Sequence, residues 1–172
     1  MITRPYGSHS MTNEAEDIAF MHEAIQAAAA RGTDPSSSPI GCVIVRDGKV
    51  LAVARNRVED DSDPTAHAEI VAIRIACEKI SCPDLRGATL YSTLQPCGMC
   101  TMASIWAKIG RVVYGAGRDD VHRMYFEDRH INTLDFVSDA YREDISIEGG
   151  ILKNEFYFRP DDHPPKAEQG NI

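Results

Sequence analysis

The sequence predicts a three-layer α/β sandwich, and three observations predict it. A helical stretch with one apolar face opens the ordered chain. Two runs rich in Val, Ile and Leu follow, separated by Asp47-Gly48, a dipeptide that signals a hairpin when it stands between apolar runs. The pattern then alternates helix, strand, helix, strand, which is the order of a sheet covered by helices on its faces.

Residues 14–31 form the first helix. Ile18, Met21 and Ile25 share one face, and the run from Ala27 to Ala30 favours helix strongly. Gly32 is placed to close it, and residues 33–39, with two Pro and three Ser, make a loop. Strands follow at 40–46 and 49–55. Residues 56–64 carry four acids and read as an exposed loop. Helical spacing returns over 66–80, with Ile70, Ile73 and Cys77 inward, Glu78 and Lys79 outward, and Asp63 and Thr65 available to cap the start. A turn at 82–87 leads to a strand at 88–94, where Leu90, Ser92 and Leu94 alternate with Thr89, Tyr91 and Thr93. Pro96 breaks that strand. A helix is expected over 98–108, and 111–116 is an apolar strand of the kind buried in parallel sheets. Beyond Gly117 the pattern weakens: 121–135 mixes aromatics with charges, 144–148 is a short strand, and 151–158 a short helix or strand.

Composition narrows the class. A chain of 172 residues suits one domain with a proper core. Gly7-Ser8-His9-Ser10 before Met11 reads as a cloning scar, so residues 1–10 are expected to be an expression leader, 11–160 the single domain and 161–172 a frayed, Pro-rich tail. No apolar run approaches the ~20 residues that cross a bilayer, and the first ten residues lack the apolar centre of a signal peptide. Five cysteines, an odd number, point to a reducing compartment, and a cytoplasmic location is expected. The formal net charge of −8, with no dense Lys/Arg cluster, argues for a small-molecule substrate and against a nucleic-acid partner, because phosphate neutralisation dominates nucleic-acid affinity.

The chemistry concentrates in His67-Ala68-Glu69 and Pro96-Cys97-Gly98-Met99-Cys100. One His and two Cys supply three zinc ligands, and three protein ligands leave a tetrahedral ion one position for water. Both halves fall at predicted helix starts, where free N–H groups and a partial positive charge stabilise thiolates. Cys97 and Cys100, three apart, share a helical face and can reach one ion. Glu69 is close enough to exchange protons with the water. The rival reading is a closed structural site, with Cys42, Cys77 or Cys82 as fourth ligand; otherwise those three read as small buried side chains.

The H-A-E and P-C-G-M-C pair resembles the signature of the zinc-dependent cytidine-deaminase-like superfamily, whose known mechanism pairs a zinc-activated water with a Glu that is not a ligand. The resemblance runs from about Ala19 to Asp128 and includes Pro39-Ile40-Gly41 and Asp63-Pro64-Thr65-Ala66. It implies a mixed five-stranded sheet, one zinc ion per chain held by His67, Cys97 and Cys100, hydrolytic deamination of a nucleobase or nucleoside, and a homodimer.

Three branches compete for the substrate. Trp106 and Phe126-Glu127-Asp128 stand after Cys100 at the distances of similar residues in guanine deaminases. That resemblance makes guanine-type bases the preferred substrates, with Asp128 recognising the base and moving protons. An ionised carboxylate is acceptor-only and can take guanine's adjacent ring N–H and amine; otherwise Asp128 is a solvated charge in an acid-rich loop. Pro39-Ile40-Gly41, Ile109-Gly110-Arg111-Val112-Val113 and Glu148-Gly149-Gly150-Ile151-Leu152 resemble the transfer-RNA adenosine deaminases, against the acidic balance of the chain. The run from Tyr91 to Cys97 is similar to fungal-type cytosine deaminases. Across these branches an asparagine eleven residues before the zinc histidine contacts base or ribose, which implies that role for Asn56, whose other reading is a turn-former. By the same resemblance Ala68 lends its backbone N–H to the substrate. Trp106 and Phe126 are candidates to stack on the base, or else core packing.

Overall fold

The computed structural model describes residues 11–30, 38–118, 120–121, 133–138 and 145–156. The elements are α1 (Met11–Ala29), β1 (Gly41–Arg46), β2 (Lys49–Arg55), α2 (Val58–Asp61), α3 (Ala68–Ile80), β3 (Ala88–Leu94), α4 (Gly98–Trp106), β4 (Arg111–Ala116), α5 (Thr133–Ser138), β5 (Ser146–Gly149) and α6 (Lys153–Phe156). The five strands form one mixed sheet in the order β2-β1-β3-β4-β5. Antiparallel pairs join β1 to β2 and to β3, and β3, β4 and β5 run parallel. No helix among the described residues is long and apolar enough to cross a membrane.

The period-2 alternation of the strands builds two cores. Cys42, Ile44, Leu90 and Val112 point to the face covered by α3, where they pack with Ala68, Val71, Ala72 and Ala76. Val43, Val45, Tyr91 and Val113 point to the opposite face and pack with Met21 and Ala24 of α1. As the central strand, β3 is buried on both sides, so both halves of its sequence alternation are enclosed except Thr89. Gly41 marks where α1 and β1 touch. A Cβ there would strike the Ala24 carbonyl oxygen and stand 2.7 Å from the Ala28 amide nitrogen, so the contact admits only glycine. The Asp47-Gly48 hairpin has φ of 53° and 69° at the two turn residues, the paired positive values of a type I′ turn.

A second feature ties the α1 face together. The Asp17 carboxylate of α1 accepts from both terminal nitrogens of Arg111 at 2.6 and 2.7 Å and from the Tyr91 hydroxyl at 2.9 Å. Arg111 also donates to Glu148 of β5 at 2.8 and 3.3 Å. Through Arg111 and Asp17 together, α1 is linked to β3, β4 and β5, and the carboxylate partners of Arg111 push its pKa further up, Asp17 foremost.

Several expectations shift in detail. α1 begins three residues before the predicted start; Gly32 lies outside the described residues. The segment read as an exposed loop at 56–64 contains α2, held by Arg57–Asp61 at 2.7 Å, and its first residue, Asn56, is buried. Asp63 and Thr65 do not cap α3: the Thr65 amide and hydroxyl both donate to Asp63 Oδ1, and the N-cap residue is His67, without a side-chain cap bond. Ile70 of α3 is buried as expected, but the inward face centres on Ala68, Ala72 and Ala76, because small residues let the helix lie close on β1 and β2, while Ile73 and Cys77 are half-buried at its flank. Cys82 is exposed and does not fill the core. α4 ends at Trp106, two residues early, and Lys108 turns to a φ of 59°. α5 lies in the stretch where the sequence pattern was weakest.

Candidate active site

Two helix starts converge beneath the sheet's central strand. At the first, the Arg57 amide bonds the Ala66 carbonyl, fixing the turn that delivers His67, whose extended backbone (φ −62°, ψ 152°) ends as α3 begins. At the second, β3 runs through buried Gln95 and Pro96 into Cys97, also extended (φ −69°, ψ 175°), before α4. Pro96 has no N–H to lose at this break. The Thr101 hydroxyl donates back to the Pro96 carbonyl at 3.3 Å, bracing the loop against the first turn of the helix.

This brings His67, Cys97 and Cys100 together. His67 Nδ1 stands 3.7 Å from Cys97 Sγ and 3.6 Å from Cys100 Sγ, and the donor atoms all lie within 4.8 Å of one another. Around tetrahedral zinc, with Zn–N near 2.0–2.1 Å and Zn–S near 2.3 Å, the N···S edge is about 3.6 Å. The three residues therefore fit the ion. Cys42, Cys77 and Cys82 do not belong to this group, so among the described residues no fourth cysteine closes the site.

The charge balance of the cluster agrees. Cys97 is pulled down to about 4, chiefly by a hydrogen bond from Cys100 and secondarily by His67. Cys100 is pushed well up by the same bond and by burial, and His67 is raised by its bond to Cys97. Two sulfurs and an imidazole share protons that a divalent cation would replace.

Glu69 lies against this group, 3% exposed. Its Oε1 accepts from the Ser92 hydroxyl at 3.2 Å and its Oε2 from the Cys100 thiol at 3.5 Å. Burial, then the neighbouring Cys97, raises its pKa, which favours a carboxyl that can hold a proton and return it. Ser92 is a site residue that sequence reasoning missed. Its signal was present: a hydroxyl on an otherwise apolar strand face, between Leu90 and Leu94. Gln95 was missed too. Its Nε2 donates to Thr133 Oγ1 at 3.0 Å and its Oε1 accepts from the Arg118 amide at 3.1 Å, tying α5 and the end of β4 to the residue before Pro96-Cys97.

Of the other expected site residues, Ala68 is fully buried at the first position of α3. Asn56 is 6% exposed beside the turn that delivers His67; its amide N–H bonds the Ile40 carbonyl, and its side-chain Oδ1 is buried without a hydrogen-bond partner. An unmet buried acceptor costs ~1–3 kcal/mol, which singles Asn56 out as a group awaiting a donor. Trp106 is 78% exposed, so it is not core packing; it lies six residues, about 9 Å, along α4 from Cys100. Phe126 and Asp128 lie outside the described residues.

Residues 14–116 match the cytidine and deoxycytidylate deaminase zinc-binding region. The chain belongs to this deaminase family. It is 47% identical over 102 residues to a tRNA-specific adenosine deaminase of Agrobacterium fabrum, an alignment that covers 59% of this chain and 66%, just under two thirds, of that relative's length. A tRNA-specific adenosine deaminase of Bacillus subtilis is 32% identical over 163 residues, 91% of this chain and 98% of its own. The guanine deaminase of Bacillus subtilis is 38% identical over 112 residues, 65% of this chain and 72% of its own. Among solved structures, one from studies of A-to-I editing by tRNA:A34 deaminases superposes with a TM-score of 0.67 at 36% identity, covering 80% of this chain and 95% of that one. This deaminase-family chain therefore has the expected fold, and His67, Cys97 and Cys100 are the group that could hold its zinc.

Proposed function

We propose that this protein is a zinc-dependent hydrolytic deaminase acting on the exocyclic amine of adenosine in transfer RNA. The observation that carries the reaction is the buried Glu69 carboxylate beside a three-donor metal site with no fourth protein ligand among the described residues. His67, Cys97 and Cys100 would hold the zinc, which when bound would lower the pKa of a water in its fourth position toward ~7. Glu69 accepts the proton of the attacking water and hands it to the departing amine, as a C–O bond forms, the C–N bond breaks and ammonia leaves. Ser92 holds Oε1 of Glu69 and leaves the carboxylate one orientation. Asn56 offers its unmet Oδ1 to a donor on the substrate, and the Ala68 backbone N–H at the start of α3 faces a substrate acceptor.

The substrate class rests on the relatives: the Bacillus subtilis tRNA-specific adenosine deaminase aligns along nearly its whole length. Relatives of that name fit at least as well as the guanine deaminase, so the preference for guanine-type bases read from the sequence is no longer the leading one, and the exclusion of nucleic acid on charge alone is withdrawn. A net charge is a sum, and a local groove can be basic on an acidic chain.

Guanine-type bases remain the second reading. The charge of −8 favours it, and so does the similarity to a guanine deaminase across 72% of that protein. In that reading Asp128 recognises the base, and Phe126 and Trp106 supply stacking surface.

A homodimer completes the proposal. α4 contains no charged residue, and Met99, Met102 and Trp106, at i, i+3 and i+7, share one exposed apolar stripe on it. Two acidic chains can meet through such a face without opposing charges. An ammonia-release screen of the zinc-loaded protein across an anticodon stem-loop RNA, guanine, guanosine, adenine, cytosine and cytidine tests the function. Release from the RNA alone supports the proposal, release from guanine alone supports the second reading, and release from none refutes both.

A further inference from the structure

α3 ends in a cap whose two contacting positions are both cysteine. The Cys82 amide donates to the Cys77 carbonyl at 3.0 Å and the Ser81 amide to the Glu78 carbonyl at 3.0 Å, with Ser81 left-handed at φ 52°, ψ 37°. This is the Schellman pattern, in which the residue after the left-handed one folds back over the last helical turn, and its side chain meets that of the residue five before it. Those partners are usually apolar. We propose that Cys77 and Cys82 are a paired-thiol modification site that oxidises to an intramolecular disulfide across the end of α3.

The geometry admits the bond. With a 3.0 Å hydrogen bond between the two residues' own backbones, their Cα atoms stand no farther apart than about 6.9 Å, the fully extended limit of the intervening bonds. The bent path of a helix cap shortens this into the roughly 4.4–6.8 Å that a disulfide spans. Cys82 is exposed and its Sγ accepts from the Asp84 amide at 3.4 Å, which holds the sulfur in place. Cys77 is half-buried and packs at the edge of the core with Ile73 and Ile80. Its thiol is raised by burial and then by Cys82.

Accessibility orders the steps. A low-molecular-weight disulfide of the glutathione type meets Cys82 first. The Cys82 thiolate attacks one of its sulfurs, a mixed disulfide forms and one small thiol leaves. Cys77 then loses its proton and attacks Cys82 Sγ, displacing the second small thiol. Two protein thiols are oxidised and one small disulfide is reduced to two thiols. Cys42 is 0% exposed, and a zinc ion would occupy Cys97 and Cys100, so the reaction is confined to this pair. Its place at the far end of α3, with Cys77 about 12 Å along the helix from Glu69, keeps it out of the reacting groups.

The test is oxidised glutathione added to the zinc-loaded full chain, followed by intact mass and peptide mapping. A loss of about 2 Da with a Cys77–Cys82 cross-linked peptide, reversed by dithiothreitol, is expected. Cys77→Ser should instead retain glutathione on Cys82 as a stable adduct, and Cys82→Ser should give neither product at this cap. A lasting glutathione adduct on wild-type Cys82, with Cys77 still free to alkylate, would overturn the proposal. So would equal behaviour of wild type and Cys77→Ser.

Discussion

Replacing Arg111 by Met separates the fold's main ion-pair network from its catalytic machinery. The substitution keeps the aliphatic stem and removes four hydrogen bonds, two to Asp17 and two to Glu148. Glu148 is partly exposed, with 31% of its side chain accessible, and water can replace its loss. Asp17 is different: its side chain is 3% exposed, and among the described residues it would keep the Tyr91 hydroxyl alone. Breaking a buried pair by deleting one partner costs about 3–5 kcal/mol. Arg111 is 21% exposed, so water softens the effect and the low end, about 3 kcal/mol, is expected. For a domain of this size that corresponds to a fall in Tm of about 6–12 °C. Adding Asp17→Asn removes the stranded charge while its amide oxygen still accepts from Tyr91. The double variant should therefore be more stable than the sum of the two single changes by about 2 kcal/mol. Urea unfolding of the four proteins measures the cycle, with zinc content unchanged throughout, since the network faces α1 and the metal group faces α3 and α4. A cost below about 1 kcal/mol, or additivity within about 0.5 kcal/mol, would show that Asp17 is not stranded by the loss of Arg111.

Ser92→Ala removes the hydrogen bond that orients Glu69; a loss of about 1 kcal/mol predicts a several-fold lower kcat with zinc retained, and an unchanged kcat would remove Ser92 from the site. Gly41→Ala forces a methyl group into the backbone of α1 and should destabilise by about 3 kcal/mol or more, read by thermal unfolding; a variant as stable as the wild type would mean that α1 does not pack so closely. Trp106→Glu places a charge on the apolar stripe of α4 and should shift the protein from dimer to monomer in sedimentation velocity, with Tm of the monomer changed by less than about 2 °C because the side chain is exposed. A dimer of undiminished affinity would place the interface elsewhere.

Residues whose roles depend on local spacing were legible in the sequence. Asp47-Gly48 announced its turn, the strands at 49–55, 88–94 and 111–116 match to the residue, and the H-A-E and P-C-G-M-C pair located the metal group because both lie at helix starts. What was not legible depends on contacts between distant segments. Arg111 and Asp17 are 94 residues apart, and nothing near either one predicts the other. Ser92 gained its role only when β3 passed beneath α3, and the exposure of Cys82 follows from a left-handed cap residue, Ser81, that sequence does not reserve for glycine. On α3, Ile70 is buried as expected, but Ile73 and Cys77 are only half-buried, for a related reason: hydrophobicity ranks Ile above Ala, but close approach to the sheet selects the smaller side chain. The substrate lay beyond the motif altogether: the chain is similar to tRNA-specific adenosine deaminases and to a guanine deaminase alike.

Metal binding and proton transfer are assigned to different side chains of one site, His67, Cys97 and Cys100 for the first and Glu69 for the second. Glu69→Gln tests this division most directly, with zinc content and ammonia release measured together on whichever substrate the wild type deaminates. One zinc per chain is expected in both proteins, with a loss of at least about a hundredfold in turnover for the variant. Substantial turnover in Glu69→Gln, with zinc still bound, would contradict the assignment.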